Sequence, residues 1–332
     1  MALASCKQIL EEAQKKCYGV GAYNVNNMEQ IQAIMTAAKE TNSPVIIQVS
    51  RGALKYSNST YLQYLMKAAI IENPDIPIAM HLDHGNSLET VIKAIELGFS
   101  SVMIDGSLME DGKTISTYDY NVKVTRSVVE YAHARGVSVE AEIGTLGGLE
   151  DGVGSDRVHL TEPKLAKKFV DETNVDSLAI AIGTSHGAYK FKGTSTNLAF
   201  DILREVRALI DIPIVLHGAS SVPKKLINEI NKYGGKMSDA AGIPVESLQE
   251  AIKLGITKIN VDTDGRLAIT AAIRKVFTEC PEKFDPRDYL GQARSELTNL
   301  IVLKMNAFGT VNHANDYIPK GFEEMKKLYI SK

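Results

Sequence analysis

The sequence predicts an α/β fold, a (β/α)8 TIM barrel with extra C-terminal helices. Three observations carry the prediction: short apolar, β-branched runs recur eight times, helical patterns separate them, and nearly every run ends in a polar or titratable residue. Parallel strands buried on both faces read as such near-continuous apolar runs, with their crossover helices filling the intervals. Eight alternating units argue for a closed barrel. A doubly wound open sheet would carry a glycine fingerprint directly after its first strand, and YNVNN stands there instead.

Residues 1–17 read as an amphipathic helix with Glu11, Glu12, Lys15 and Lys16, without the apolar core and cleavage site of a signal peptide. The first strand is expected over 18–26 (YGVGAYNVN), with a helix over 28–40 behind it. The second strand is 44–50 (PVIIQVS), and the third, 76–84 (IPIAMHLDH), leads into a helix over 87–97. The fourth, 100–106, ends in SVMIDG and is followed, after a long connection over 107–120, by a helix over 122–134. The fifth strand, 136–144 (GVSVEAEIG), precedes a helix over 162–172, and the sixth, 177–183 (SLAIAIG), one over 198–209. After the seventh, 212–218 (IPIVLHG), the connection 219–244 carries Gly234, Gly235 and Gly242, which suggest a loop between two helices. A helix over 245–254 then leads to the eighth strand, 256–262 (ITKINVD). Many of these helices end in the Gly or Asn that caps a helix. The expected organisation is one barrel domain over 1–332, with 278–332 as a helical extension available for oligomer contacts.

A formal net charge of −3 gives no global basic field of the kind nucleic-acid binders use, so an anionic substrate would need a local pocket. No apolar run approaches the length that spans a bilayer. Cys6, Cys17 and Cys280 are scattered, neither a disulfide framework nor a CxxC metal knuckle, which suits a reducing cytoplasm.

The C-terminal ends of barrel strands are where barrel enzymes build active sites. Here those ends carry Asp83 and His84, then Asp105, Glu140 and Glu142, Thr184 to His186, His217, and finally Asn260 and Asp262. Burying such groups without partners costs several kcal/mol, so the pocket must compensate them. Neutral imidazole is a good zinc ligand, and three histidines from three strand ends leave a fourth position open for substrate. A single histidine at such a place is more often a hydrogen-bonded core or surface residue. His84, His186 and His217 together are harder to read that way. His133 is expected on a helix surface, and His159 and His313 in loops. His81 lies an odd number of positions from His84, so with alternating side chains only one should face the axis; His84 takes that place and His81 a packing or supporting one.

The small-residue loops GTSHG (183–187), HGASS (217–221) and NVDTDGR (260–266) suit anion cradles, although each alone also suits a tight turn. The glycine-rich stretch 143–154, with Glu150 and Asp151 and with Asp156 just beyond, suits either a lid over the pocket or a solvated surface loop.

The motifs AYNVNN, QVSRGA, HLDHG, SVMIDGS, EAEIGTLGG, IGTSHG, HGASS and NVDTDGR, in this order from about Tyr18 to the end, resemble the class II, zinc-dependent fructose-bisphosphate aldolases, extended C-terminal branch. The resemblance implies reversible aldol cleavage of fructose 1,6-bisphosphate to dihydroxyacetone phosphate and glyceraldehyde 3-phosphate, in glycolysis and gluconeogenesis. It implies Zn2+ on His84, His186 and His217, a general acid/base at Asp83, and a second divalent or monovalent cation near Asp105 and Glu142. Glu150 matches a mobile-loop carboxylate that handles the proton of the dihydroxyacetone phosphate half, with Asn260 near the enediolate. Gly187, Lys190, Gly218, Ala219, Ser220, Asp262 and Thr263 match the phosphate site of that half. Ser50 and Arg266 match the distal phosphate site, and Asn24 lines the same pocket. Arg287, in FDPRDYLG, matches an arginine that reaches a neighbouring subunit's site, which implies a homo-oligomer, dimer or tetramer. The segment after strand four is longer than in compact members and lacks the histidine that several carry after DGS.

Four rivals stand beside this reading. Lys258 shares the parity of Asn260 and could serve a Schiff-base aldolase, although an ion-paired lysine accounts for it too. A metal-dependent hydrolase barrel would need an HxH pair on strand one, where YNVN has none. An inert sugar-phosphate binder would not need the acid, metal and lid positions. Tagatose 1,6-bisphosphate aldolase, a relative that differs in the C4 configuration it accepts, stays open on these residues.

Overall fold

The strands β1 (Val20–Asn24), β2 (Val45–Ser50), β3 (Ile78–Gly85), β4 (Ser101–Ile104), β5 (Ser138–Ile143), β6 (Ser177–Ile180), β7 (Ile214–Leu216) and β8 (Ile256–Val261) are parallel and close in sequence order. The ring is sealed where Val20 meets Lys258 and Ala22 meets Asn260 across β1 and β8. This is a computed structural model, describing residues 2–146, 159–188, 198–238 and 240–331. All eight expected strands form, most of them three or four residues shorter than read from sequence, because pairing stops where the loops begin to turn.

Alternation along each strand divides the core. Outward residues such as Val45, Ile47, Val49, Met80, Leu82, Val139, Ala141, Ile259 and Val261 pack under the helices. Val20, Ala22, Ile46 and Ala79 lie instead with Ile9, Leu10 and Ala13 of helix α1 (Cys6–Lys16), in a separate apolar cluster that closes the N-terminal floor. Polarity therefore rises along the barrel axis, from that floor through Gln48, His81, Glu140 and Lys258 to the C-terminal rim.

The helices begin on side-chain caps: Ser5 accepts from the Gln8 N–H, Asn27 from Gln30, Ser87 from Thr90 and Thr117 from Tyr120. The expected helices form as α2 (Met28–Glu40), α5 (Leu88–Glu96), α6 (Tyr118–His133), α7 (Pro163–Thr173), α8 (Phe200–Leu209) and α10 (Val245–Lys253). The loop expected between two helices after β7 lies between α9 (Lys224–Lys232) and α10, and α3 (Arg51–Ser57) and α4 (Ser59–Glu72) fill the connection from β2 to β3. Past β8, α11 (Thr263–Glu279) is followed by α12 (Pro286–Phe308). Leu297, Ile301, Met305 and Phe308 of α12 join the main core.

The last helix, α13 (Phe322–Ile330), crosses to α6 (Tyr118–His133) at the opposite end of the barrel from the strand tips. The Tyr329 ring stacks on His133 with centroids 3.7 Å apart, and its hydroxyl donates to buried Asp176 at 2.9 Å. Asp176 also faces His133 Nε2 at 2.9 Å, accepts from the Val139 N–H at 2.9 Å and pairs with Lys7 at 3.1 Å. His133 is thus not the free helix-surface residue that the sequence suggests.

Candidate metal centre and active site

Strand β3 is the spine of the site. His81 and Asp83 point inward by parity, and His84 should point outward. Its backbone adopts φ 49°, in the left-handed region, and the β3–β4 register shifts between Leu82 and Gly85. That local twist turns His84 inward beside Asp83, so both histidines of HLDHG face the barrel interior, against the expectation that only one would. His81 sits one layer lower, its Nδ1 2.8 Å from Ser101 Oγ and its Nε2 3.4 Å from Lys258 Nζ.

Ligand atoms of His84, His186 and His217 lie within 4.8 Å of one another. His84 Nε2 and His217 Nδ1 are 3.0 Å apart. The far nitrogen of each is held from behind. His84 Nδ1 faces Asp105 Oδ2 at 3.1 Å, and His217 Nε2 faces Glu140 Oε1 at 2.7 Å. Glu140 is itself fully buried and paired with Lys258 at 2.9 Å, which gives that lysine an ion partner and no opening to substrate. An accepting carboxylate behind each of these two rings, with the opposite nitrogens brought close together, fits a divalent cation held by imidazole.

A second group, His84, Asp105 and Glu142, shares the same close spacing. Burial and the neighbouring Asp105 charge push the Glu142 carboxyl well above its usual range. Asp105 stays low despite burial, because His84 and the Ser107 hydroxyl, 2.6 Å away, both bond it. Two buried carboxyls with opposite leanings form a place that a further cation would neutralise.

Asp83 is buried, yet His84, His217, Lys258 and the Asn24 amide outweigh that burial and hold it down at about 2. Asn24 Nδ2 donates to Asp83 Oδ2 at 2.9 Å, Asn260 Nδ2 to Oδ1 at 3.4 Å, and Gln48 supports Asn24 from below at 2.5 Å. The result is an ionised carboxylate, fixed in direction, beside the imidazole cluster. Against its own burial, His84 is pushed up to about 10 by Asp83, Asp105 and Glu142, a measure of how strongly this corner attracts positive charge.

These groups open into a cleft lined by Asn24, Ser50, Asp83, His84, His186, Gly218, Ala219, Ser220, Asn260 and Asp262, all of them expected. Gly187 and Thr263 lie beside it in sequence on the β6 and β8 loops. Arg51 and Gly52 line the cleft too, and neither was singled out. Arg51 donates from Nε to the His84 carbonyl at 3.0 Å; a cation directly after a strand-end serine was the available signal. Arg266 faces a neighbouring hollow with Asn26, Asn27 and Tyr56, its guanidinium gripped by Asp262 at 2.5 Å. Arg287, at the start of α12, is exposed and, among the described residues, bonded to Asp285 of its own chain. Glu150 and Lys190 fall outside the described residues.

Residues 4–313 match the family model described as fructose-bisphosphate aldolase class-II. The fructose-bisphosphate aldolase of Giardia intestinalis is 58% identical, covering 99% of this chain and 100% of that one. The Pseudomonas aeruginosa enzyme of the same name is 49% identical over 99% of this chain and 97% of its own. Among solved structures, the YdjI aldolase of Escherichia coli K12 superimposes with a TM-score of 0.75 at 28% identity, covering 94% of this chain and all of that one. No helix among the described residues is long and apolar enough to cross a membrane.

Proposed function

Since the chain belongs to the class II fructose-bisphosphate aldolases, we propose the following division of labour for the reversible cleavage of fructose 1,6-bisphosphate into dihydroxyacetone phosphate and glyceraldehyde 3-phosphate. His84, His186 and His217 hold Zn2+, which when bound supplies a Lewis acid for the electron pair released as the C3–C4 bond breaks. The observation that carries this reading is the convergence of three imidazoles beside an ionised, amide-anchored Asp83.

Asp83 takes the C4 hydroxyl proton in cleavage and returns it in condensation, being ionised and held in direction by the Asn24 amide. Asn260 orients Asp83 and offers its amide to the oxygen that gains charge. Glu150 returns a proton to the three-carbon fragment. Gly187, Lys190, Gly218, Ala219, Ser220, Asp262 and Thr263 hold the phosphate of that fragment, and Ser50 and Arg266 hold the distal one. Asp105 and Glu142 take a second cation. Arg287 serves the site of a second copy, which makes the working form a homo-oligomer, dimer or tetramer. The barrel and its extension over 278–332 act as one domain, and the three free cysteines suit the cytoplasm.

Cleavage of fructose and tagatose 1,6-bisphosphates, each before and after chelation and with zinc restored, tests the assignment. Zinc-restored activity that favours the fructose isomer is expected. Preference for tagatose would transfer the chain to the sister reaction, and activity that resists chelation would sink the metal role.

A further inference from the structure

The loop after β7 holds Gly218, Ala219 and Ser220, read above as part of the phosphate cradle, and then bends sharply. Val222, a β-branched residue, sits at φ 47°, a conformation it adopts only when its surroundings impose it. The imposing group is Asp264, in the first turn of α11 and fully buried. Its two carboxylate oxygens accept the backbone N–H groups of Ser221, at 2.9 Å, and Val222, at 2.7 Å. A carboxylate there needs a counter-charge, and it comes from outside the eight βα units. Lys304 of α12, only 5% exposed at its side chain, reaches Asp264 Oδ2 at 2.6 Å and donates to the Ser221 hydroxyl at 2.6 Å. The other flank of the loop is pinned separately, by the Ile243 N–H on the Ser220 carbonyl at 3.1 Å.

We infer that Lys304 is a positioning residue for phosphate binding: with Asp264 it forms a buried staple by which the C-terminal helix fixes the shape of the β7 loop and aims the donors of Gly218 and Ser220. The inference rests on the cradle reading of Gly218 to Ser220. Lys304 touches no substrate and acts through Asp264 and Ser221. Cradle donors are useful only when already aimed, and a displacement near 1 Å costs up to about a hundredfold in the reaction they support.

The test compares Lys304→Met, which keeps the length and removes the charge, with Lys304→Arg and Ser220→Ala. Five quantities are read for the zinc-loaded enzyme: KM for fructose 1,6-bisphosphate, kcat, inhibition by inorganic phosphate, bound zinc and melting temperature. Lys304→Met should raise KM and the phosphate inhibition constant together by about tenfold, while kcat and zinc content stay within about twofold of wild type, with partial recovery in Lys304→Arg. A purely structural lysine would lower the melting temperature and leave both constants alone. If Ser220→Ala weakens phosphate binding and folded Lys304→Met does not, the staple is wrong and the cradle stands. If neither variant changes phosphate binding, both readings fall. Should Lys304→Met prove insoluble, Asp264→Asn, which removes the charge and keeps the shape, decides by the same readings.

Discussion

His84 shows where residue-level chemistry and residue-level pattern part company. Its identity as a strand-end histidine announced a ligand, yet the left-handed backbone that turns it inward leaves no mark in a sequence, since φ is set by the loop that receives it. The same holds for Glu140. It was visible on β5, but its partners His217 and Lys258 come from other strands, and only closure of the barrel brings them together. Because an ionised Glu140 can only accept, it fixes the His217 proton on Nε2 and leaves Nδ1 for the metal. Glu140→Gln should therefore lower zinc affinity by about 10–100-fold, read by competition with a chromophoric chelator; unchanged affinity would show that the carboxylate merely fills space. Asp83→Asn should behave oppositely, keeping zinc and lowering kcat by about a hundredfold or more. Loss of zinc in that variant would mean that Asp83 is needed for the centre itself.

At the scale of elements the chain was largely legible. The strands announced themselves by apolar runs and the helices by period and caps, whereas α3 and α4 went unnamed because their segment, rich in exposed Tyr56, Tyr61 and Tyr64, carries little amphipathic contrast. The docking of α13 on α6 was illegible for another reason: it depends on a buried carboxylate, Asp176, whose four partners lie on α1, α6, β5 and α13. Despite burial, the His133 and Lys7 contacts hold Asp176 below the usual carboxylate value. A depressed carboxylate contributes stability that is present above its unfolded pKa and lost as pH falls through the folded one. Asp176→Asn should accordingly cost about 3 kcal/mol at pH 7, and the gap in melting temperature from wild type should close as the pH falls below about 4. A gap that stays constant as the pH falls below about 4 would assign the loss to packing.

For the whole molecule, the proposed zinc site would couple metal loading to folding, since its clustered imidazoles and carboxylates come together only in the native state. Chelation should then lower the melting temperature as well as abolish cleavage, and added zinc should restore both. Arg287 supplies the test of assembly. Neither Arg287→Ala nor Asp83→Asn homo-oligomers should cleave efficiently, yet their mixture, unfolded and refolded together, should regain activity, because in a mixed pair one site keeps its own Asp83 and borrows the intact arginine of the other chain. No recovery would confine Arg287 to its own surface, where Asp285 already holds it.

Lys304 bears finally on the order of manufacture. A ribosome finishes β8 at Val261, with every strand of the barrel made, but the cation that balances Asp264 is translated only later, 83 residues after the Ser221 it also bonds. On that inference, competence toward phosphate waits for a segment that emerges only after all eight strands. A message cut short between those two points would encode all eight strands and the three histidines, and would still lack the lysine that sets the β7 loop.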